Sequence, residues 1–153
     1  MKDKKFAGII ALGFIAILTF FAIMGSDFAL NGGNSGESMD VSGSENVKEA
    51  IMYADENGTV SSYDVTTSTQ GFGGEVLVTV SFEGDKNTIS AVSIVADSET
   101  TGLGSLVTEA DFTSQFAGKS APLTISDIDA VSGATISSTA VVDGINSANE
   151  FLQ

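Results

Sequence analysis

The chain contains no cysteine and no histidine. Without cysteine it forms no disulfide bonds, so its core must be stable without cross-links. The absence of both residue types removes the usual protein ligands of iron–sulfur clusters, haem and structural zinc. It also excludes nucleophilic catalysis by a Ser-His or Cys-His pair. If the chain takes part in redox chemistry, it therefore needs an organic cofactor.

Positive charge is also scarce. All six basic residues are lysines, and they stand against 20 acidic residues, which gives a formal net charge of −14. Such a charge repels nucleic acid and anionic lipid headgroups, and it favours solubility. We therefore expect no nucleic-acid partner.

One long hydrophobic run lies at residues 6–25, with the sequence FAGIIALGFIAILTFFAIMG. A helix rising about 1.5 Å per residue over this run would reach roughly 30 Å, the thickness of a hydrocarbon core. Residues 1–5 hold three lysines and the next is Lys48, which predicts a cytoplasmic tail, a single-pass transmembrane anchor and an extracytoplasmic remainder. The alternative is a cleaved secretory signal, although no clear A-x-A-like site follows Met24. Both alternatives export the rest of the chain.

The exported part divides into a spacer and a domain. Residues 26–45 are rich in glycine, serine and asparagine, a composition typical of flexible spacers. We assign residues 46–153 to one extracytoplasmic domain. Its first segment is VKEAIMYA (Val47–Ala54), for which we expect a short helix.

The next part of the domain has the patterns of strands. A strand is expected within TVSSYDVTT, followed by a turn at STQGFGG. In EVLVTVSFE the apolar residues Val76, Val78 and Val80 alternate with polar ones, which predicts a half-buried strand. The tight turn GDKN then leads to TISAVSIVA, the second strand of a hairpin.

The last part of the domain is predicted to be mainly helical. We expect a short helix in SLVTEADFTSQFAGK that ends at Gly118, one more strand in PLTISDIDAV, and a C-terminal helix from Ser138. Hairpins mixed with helices indicate an α+β fold. We therefore predict a small antiparallel sheet with peripheral helices, preceded by one N-terminal transmembrane helix.

The segment DAVSGAT ends at Thr135, directly before the predicted C-terminal helix. Ser137 or Ser138 is expected to cap this helix, and the free backbone N–H groups at a helix start suit a phosphate. Gly133 and Ala134 leave room for a bulky ligand beside the Thr135 hydroxyl. An ordinary turn with an N-cap is the alternative, and these residues alone favour it.

DAVSGAT resembles the D-x-x-[S/T]-G-A-T flavinylation motif of the FMN-binding domain family. That family includes the G subunit of Rnf complexes and the C subunit of the sodium-pumping NADH:quinone reductase. The resemblance implies that a flavin transferase, with FAD as donor, joins FMN to Thr135 through a phosphoester. It also implies a recognition frame around the cofactor, made of Asp129, Ser132, Gly133 and Ala134.

A second motif supports the first. ETTGLG (Glu99–Gly104) resembles the E-T-P-G-L-G loop that lies against the flavin in the same family, with a threonine in place of the proline. The resemblance implies cofactor contacts for Glu99, Thr101, Gly102 and Leu103. The alternatives are a solvated surface acid, a plain glycine turn and a core leucine. With GFGGEV and FTSQFAGK in the usual order, the resemblance covers about residues 71–149.

Together these features predict a membrane-anchored, extracytoplasmic electron-transfer flavoprotein with covalent FMN. Its expected partners are the flavin transferase and membrane redox proteins or complex subunits. The resemblance implies a G-like subunit of an Rnf-type ion-translocating oxidoreductase. A free-standing carrier for extracellular electron transfer is one alternative, and a cofactor-free cell-surface binding module is another. A self-contained flavoenzyme fits less well, because no acid, base or nucleophile stands out.

Overall fold

The computed structural model describes residues 35–153. The predicted cytoplasmic tail, the predicted anchor and the first part of the predicted spacer lie outside the described residues. Among the helices of residues 35–153, none is long and apolar enough to cross a membrane.

Five strands form one antiparallel sheet in which neighbouring strands are also neighbours in the sequence. They are β1 (Ser35–Ser38), β2 (Val47–Ala54), β3 (Val60–Gln70), β4 (Glu75–Glu83) and β5 (Ile89–Val95). The simple order arises because short connections separate the strands, and short connections join only antiparallel strands. The predicted small antiparallel sheet is confirmed.

Short helices follow the sheet, and one long helix ends the fold. The elements are a 3-10 helix (Gly104–Thr108), α1 (Ala110–Thr113), two further 3-10 helices (Ser114–Phe116 and Ile125–Asp127) and α2 (Thr135–Leu152). The single helix predicted up to Gly118 is therefore three short pieces. These pieces bury Phe112 and Phe116, whose rings meet edge to face with centroids 5.4 Å apart.

The hydrophobic core lies between α2 and one face of the sheet. Every second residue of β4, from Val76 to Phe82, is fully buried on this face. On α2, buried residues recur every three or four positions, as at Val141, Ile145 and Ala148. The two periods differ because a strand alternates its side chains and a helix turns every 3.6 residues, and both place their apolar residues toward the same core.

A close approach of α2 to the sheet occurs at Gly144. The Thr67 hydroxyl contacts two carbonyl oxygens, at 3.1 Å from that of Gly144 and 3.3 Å from that of Val78. The Thr69 hydroxyl donates to the Ala140 carbonyl at 2.9 Å. A Cβ at position 144 would lie 2.9 Å from both Thr67 Oγ1 and Val78 Cγ2. Glycine is therefore required for this spacing.

Replacing Gly144 with valine should destabilise the domain strongly. The added side chain has no space against Thr67 and Val78, so the helix must move away from the sheet, which costs about 3 kcal/mol of the free energy of unfolding. Urea unfolding followed by circular dichroism measures the loss. The exposed neighbour Asp143 provides the control, since Asp143→Val should cost about 0.5 kcal/mol or less. Equal losses in the two variants would contradict the close approach.

The short helix predicted for Val47–Ala54 is wrong, because this segment is β2. It pairs with β3 along its length, and a register shift lies between Val47 and Glu49. Such a β-bulge adds one residue to one strand and changes which face the following side chains occupy. Val47 and Ala50 are therefore both buried although they are three residues apart. That spacing imitates a helix, which explains the error.

Three other segments differ from the prediction. Ser35–Ser38 lie within the segment predicted to be a flexible spacer, and they form β1, which pairs with β2. The strand predicted in PLTISDIDAV is wrong, since Ile125–Asp127 form a 3-10 helix there. In that helix the Asp127 carboxylate accepts hydrogen bonds from both the backbone and the hydroxyl of Thr124, and such local bonds compete with strand formation. The C-terminal helix begins at Thr135 rather than at Ser138.

The sheet face opposite the core holds a half-buried carboxylate. Asp64 accepts a hydrogen bond from the Ser81 hydroxyl at 2.6 Å and one from the Tyr53 hydroxyl at 3.1 Å. Burial raises the pKa of Asp64, and the two hydrogen bonds oppose that rise. Burial, together with the nearby Asp64 carboxylate, raises the pKa of the Tyr53 hydroxyl.

Asp64 should make the domain more stable in mild acid than at neutral pH. Because the folded state binds its proton more tightly than the unfolded chain, this contribution is complete below the ordinary aspartate pKa and is lost as pH rises through the higher folded value. The stability of wild type relative to Asp64→Asn should therefore fall from pH about 4 to about 7. Urea midpoints across this range measure the difference.

Asp85 provides a control, because its pKa is shifted in the opposite direction to that of Asp64. Hydrogen bonds from Thr88, first from its hydroxyl and then from its backbone N–H, lower the pKa of the exposed Asp85 carboxyl. The stability of wild type relative to Asp85→Asn should therefore fall as the pH falls. The same trend in both variants would refute the assignment to Asp64.

Candidate functional site

Thr135 is the first residue of α2, and its side chain is exposed. The preceding residues form a turn in which the Ala134 N–H donates to the Val131 carbonyl at 2.9 Å, and Gly133 has a φ of 79°. No side chain caps the start of α2. Its first backbone N–H groups and the positive end of the helix dipole are therefore available to an anion beside the Thr135 hydroxyl.

Ser138 holds this turn in place. Its hydroxyl accepts a hydrogen bond from the Val131 N–H and donates one to the Ala134 carbonyl, both at 3.0 Å. Ser138 is buried inside α2, so the prediction that Ser137 or Ser138 is the N-cap is wrong. The side chains of both serines instead connect α2 to neighbouring segments.

Glu99 is one of those neighbours, and only 6% of its surface is exposed. One carboxylate oxygen accepts the Gly73 N–H at 2.9 Å, and the other accepts the Ser137 hydroxyl at 2.5 Å. A Cβ at Gly71 or Gly104 would lie 2.2 Å from a Glu99 oxygen. The carboxylate therefore fills a glycine-lined space that connects the β3–β4 turn, the ETTGLG loop and α2.

The burial of Glu99 excludes one interpretation of this residue and leaves the other untested. A solvated surface acid is wrong, because the side chain is enclosed. Contact between Glu99 and a cofactor stays a prediction. Glu99 and Thr135 are nevertheless brought to one region, since Ser137 lies in the first turn of α2.

The rest of the ETTGLG loop meets the DAVSGAT turn on the surface. A side chain at Gly133 would begin 3.2 Å from Leu103 Cδ1, so these two residues are in close contact. Gly102, at a φ of 74°, and Thr101 are exposed, and the Gly102 N–H donates to the Ser105 hydroxyl at 2.9 Å. Leu103 is 40% exposed, which excludes the alternative of an ordinary core leucine.

The beginning of the DAVSGAT segment is held by a residue that the motifs did not identify. Asp129 and Ser132 are exposed. The Asp129 N–H donates to Gln115 Oε1 at 2.7 Å, and Gln115 Nε2 donates to the Asp129 carbonyl at 3.3 Å. Gln115 lies in FTSQFAGK. The one indication of this residue in the sequence was that FTSQFAGK follows the ETTGLG loop in the order usual for the family.

An open groove of about 530 Å³ lies beside this turn. Its apolar lining comes from Leu106, Ala110, Phe112 and Val131, and its acidic lining from Glu109, Asp111 and Asp129. Three carboxylates disfavour a phosphate in the groove. An anionic group of a ligand is therefore better placed at the start of α2, and an apolar group is better placed toward the groove.

Exposed apolar side chains surround the same region. Within residues 36–153, the large exposed ones are Phe72, Leu103, Leu106 and Ile136. Ile136 follows Thr135 directly and is 55% exposed, while Leu103 touches Gly133. Apolar surface next to an uncapped helix start suits a ligand that has a phosphate end and a flat apolar body.

Comparisons with known proteins agree with this geometry. A family model described as the FMN-binding domain matches residues 71–150, more than half of the chain. The G subunit of the ion-translocating oxidoreductase complex of Methanosarcina acetivorans is 37% identical over 103 residues, which are 64% of this chain and 55% of that protein. The G subunit of the Na(+)-translocating ferredoxin:NAD(+) oxidoreductase complex of Acetobacterium woodii is 34% identical over 109 residues, 63% and 52% of the two chains. The chain thus spans about half the length of these relatives.

Solved structures show the same fold. The C subunit of the Na(+)-translocating NADH-quinone reductase from Parabacteroides distasonis matches with a TM-score of 0.55 at 24% identity, over 68% of this chain and 61% of that one. Shewanella oneidensis NqrC matches with a TM-score of 0.54 at 25% identity, over 77% and 64%. The resemblance expected from the two motifs is confirmed, and the chain belongs to the FMN-binding domain family.

Proposed function

We propose that this protein is a membrane-anchored, extracytoplasmic electron-transfer flavoprotein that carries FMN on Thr135 through a phosphoester. The observation that carries the proposal is the position of the Thr135 hydroxyl, which is exposed at the uncapped start of α2. Family membership supports FMN as the ligand. The contact of the ETTGLG loop with Gly133 supports a site built from both motifs.

The attachment is a phosphoryl-type transfer with FAD as donor. The Thr135 oxygen forms a bond to the phosphorus on the riboflavin side of the FAD pyrophosphate. The P–O bond to the AMP half breaks, AMP leaves, and the hydroxyl proton is released. No electrons are exchanged in this step. In this proposal a flavin transferase supplies the catalytic groups.

The residues of the chain then position the cofactor. Backbone N–H groups at the start of α2 stabilise the phosphate, so no arginine is needed for that purpose. Leu103 and Ile136 are exposed and would offer apolar surface to the ring, and the exposed Thr101 and Gly102 would lie beside it. Bound FMN supplies one- and two-electron transfer, for which the polypeptide itself has no group.

The partners of this carrier are proposed from its relatives. The two curated relatives are named as subunits of ion-translocating oxidoreductase complexes, which supports membrane redox subunits as electron partners. The hydrophobic run at residues 6–25 supports a single-pass anchor, and the lysines before it support export of the domain. Covalent attachment retains the cofactor at a location where free FMN is scarce.

Intact mass measurement tests the proposal. The full chain is produced in cells with and without a flavin transferase and is purified. We expect a yellow protein, heavier by one esterified FMN, only when the transferase is present, and the colour should persist after denaturation. A colourless protein of unmodified mass in both preparations would overturn the proposal and would favour a cofactor-free binding module.

A further inference from the structure

We propose that Gln115 is a positioning residue for flavinylation, because it fixes the backbone of Asp129, the first residue of the DAVSGAT motif. The inference rests on the proposed attachment of FMN to Thr135. Gln115 lies outside the motif, in the 3-10 helix Ser114–Phe116. Its side-chain amide bonds both backbone polar groups of Asp129, accepting from the N–H at 2.7 Å and donating to the carbonyl at 3.3 Å.

The contact acts at a part of the loop that has few hydrogen bonds to other segments. Upstream, Asn146 holds Leu123 by two hydrogen bonds, at 2.7 and 2.8 Å. Downstream, Ser138 holds Val131. Between these points residues 124–130 form no strand, and among the described residues Gln115 makes the one hydrogen-bonded contact to them from a distant segment. Without it the Asp129 backbone has no hydrogen bond to another segment and is held only through Ile128 and Val131, which pack against the core on either side of it.

The contact between Gln115 and Asp129 bears on function because it orients the Asp129 side chain. It is exposed and lies at the edge of the groove beside the attachment turn. Asp129 belongs to the recognition frame that the resemblance of DAVSGAT implies, and the inference is that the transferase contacts it there. An exposed carboxylate is recognised best when its backbone already holds one direction, because the partner then does not have to order it on binding.

A purely structural role is a weaker explanation. Ordering the partly exposed Gln115 side chain costs conformational entropy, which offsets part of the free energy of its two hydrogen bonds. Glutamine can donate and accept at once, which a backbone N–H and carbonyl of the same residue require. The double contact therefore serves the orientation of Asp129 more than the stability of the domain.

Steady-state flavinylation of the full chain by a flavin transferase, with saturating FAD, tests the inference. Gln115→Met keeps the size of the side chain and removes both hydrogen bonds. We expect its KM as a transferase substrate to rise about tenfold, as the loss of two hydrogen bonds worth about 1 kcal/mol each allows. The kcat should stay unchanged, because Thr135 and the start of α2 are untouched.

A second variant and a matched control complete the experiment. Gln115→Glu keeps the acceptor for the Asp129 N–H and loses the donor, so its KM should rise less than that of Gln115→Met. The exposed neighbour Ser114 provides a matched control, since Ser114→Ala should have the wild-type KM. An unchanged KM in both Gln115 variants, or a lower kcat at unchanged KM, would overturn the inference.

Thr135→Ala separates this inference from the proposed function. If Thr135→Ala accepts no FMN while the Gln115 variants react like wild type, only the positioning role of Gln115 is wrong. If Thr135→Ala is still flavinylated, the attachment point is wrong, and the inference fails with it.

Discussion

A Thr135→Ala variant should be colourless and of unmodified mass, even when it is produced together with an active flavin transferase. The substitution removes the one hydroxyl that lies both in the motif and at the uncapped start of α2. Ser132 is also exposed, but it precedes Gly133 and does not stand at the helix start. We therefore expect complete loss of covalent flavin rather than transfer to a neighbouring residue.

Two controls make this result interpretable. Thr135→Ser keeps the hydroxyl and should still be modified, whereas Ser132→Ala should keep the flavin on Thr135. Intact mass and peptide mapping after denaturation measure all three variants. Because Thr135 is exposed and alanine favours helices, Thr135→Ala should unfold at the same urea concentration as unmodified wild type. Covalent flavin in Thr135→Ala would place the ester on a different residue.

A Glu99→Ala variant should lose much of the stability of the domain. The Glu99 carboxylate accepts the Gly73 N–H and the Ser137 hydroxyl, and the substitution leaves the buried Ser137 hydroxyl and the partly buried Gly73 N–H without this partner. Each unsatisfied group costs about 1–3 kcal/mol, so we expect a loss of about 2–5 kcal/mol in the free energy of unfolding. The empty space between Gly71 and Gly104 adds to this loss. Urea unfolding of the unmodified protein measures it.

A second variant separates the loss of the Glu99 hydrogen bonds from the loss of its negative charge. In Glu99→Gln the amide oxygen can accept the Gly73 N–H while the amide nitrogen donates to Ser137, so the loss should be smaller than in Glu99→Ala. The exposed neighbour Asp97 serves as the surface control, and Asp97→Ala should change stability by less than about 0.5 kcal/mol. A Glu99→Ala variant as stable as Asp97→Ala would contradict the enclosed position of the carboxylate.

The strict alternation of apolar and polar residues along a strand made part of the fold predictable. β4 was predicted with its observed limits, because Val76, Val78 and Val80 all face the core and the intervening residues do not. β2 could not be predicted from periodicity, because its bulge places Val47 and Ala50 on one face at a helical spacing. β1 has no apolar pattern, since SGES depends on pairing with β2 rather than on burial. Local sequence cannot show either effect.

The candidate site likewise has one part that the sequence predicted and one part that it did not. Thr135 was identified because its motif is a continuous run of sequence, and the structure places it at a helix start. The contacts of Glu99 with Ser137 and of Gln115 with Asp129 join residues that are far apart in the chain. Such contacts depend on how α2 and the loops pack on the sheet. One sequence, read segment by segment, therefore points to the residue proposed for modification but not to the residues that hold it in place.

The hydrogen bonds between β3 and α2 have a consequence for protein synthesis. Thr67 and Thr69 bind carbonyls of Gly144 and Ala140, which are translated after every strand of the sheet. The apolar face of the sheet therefore stays uncovered until α2 has been synthesised and has packed on it, and chains that end before α2 are expected to aggregate. The turn that carries Thr135 takes its final shape only when the ribosome has translated α2.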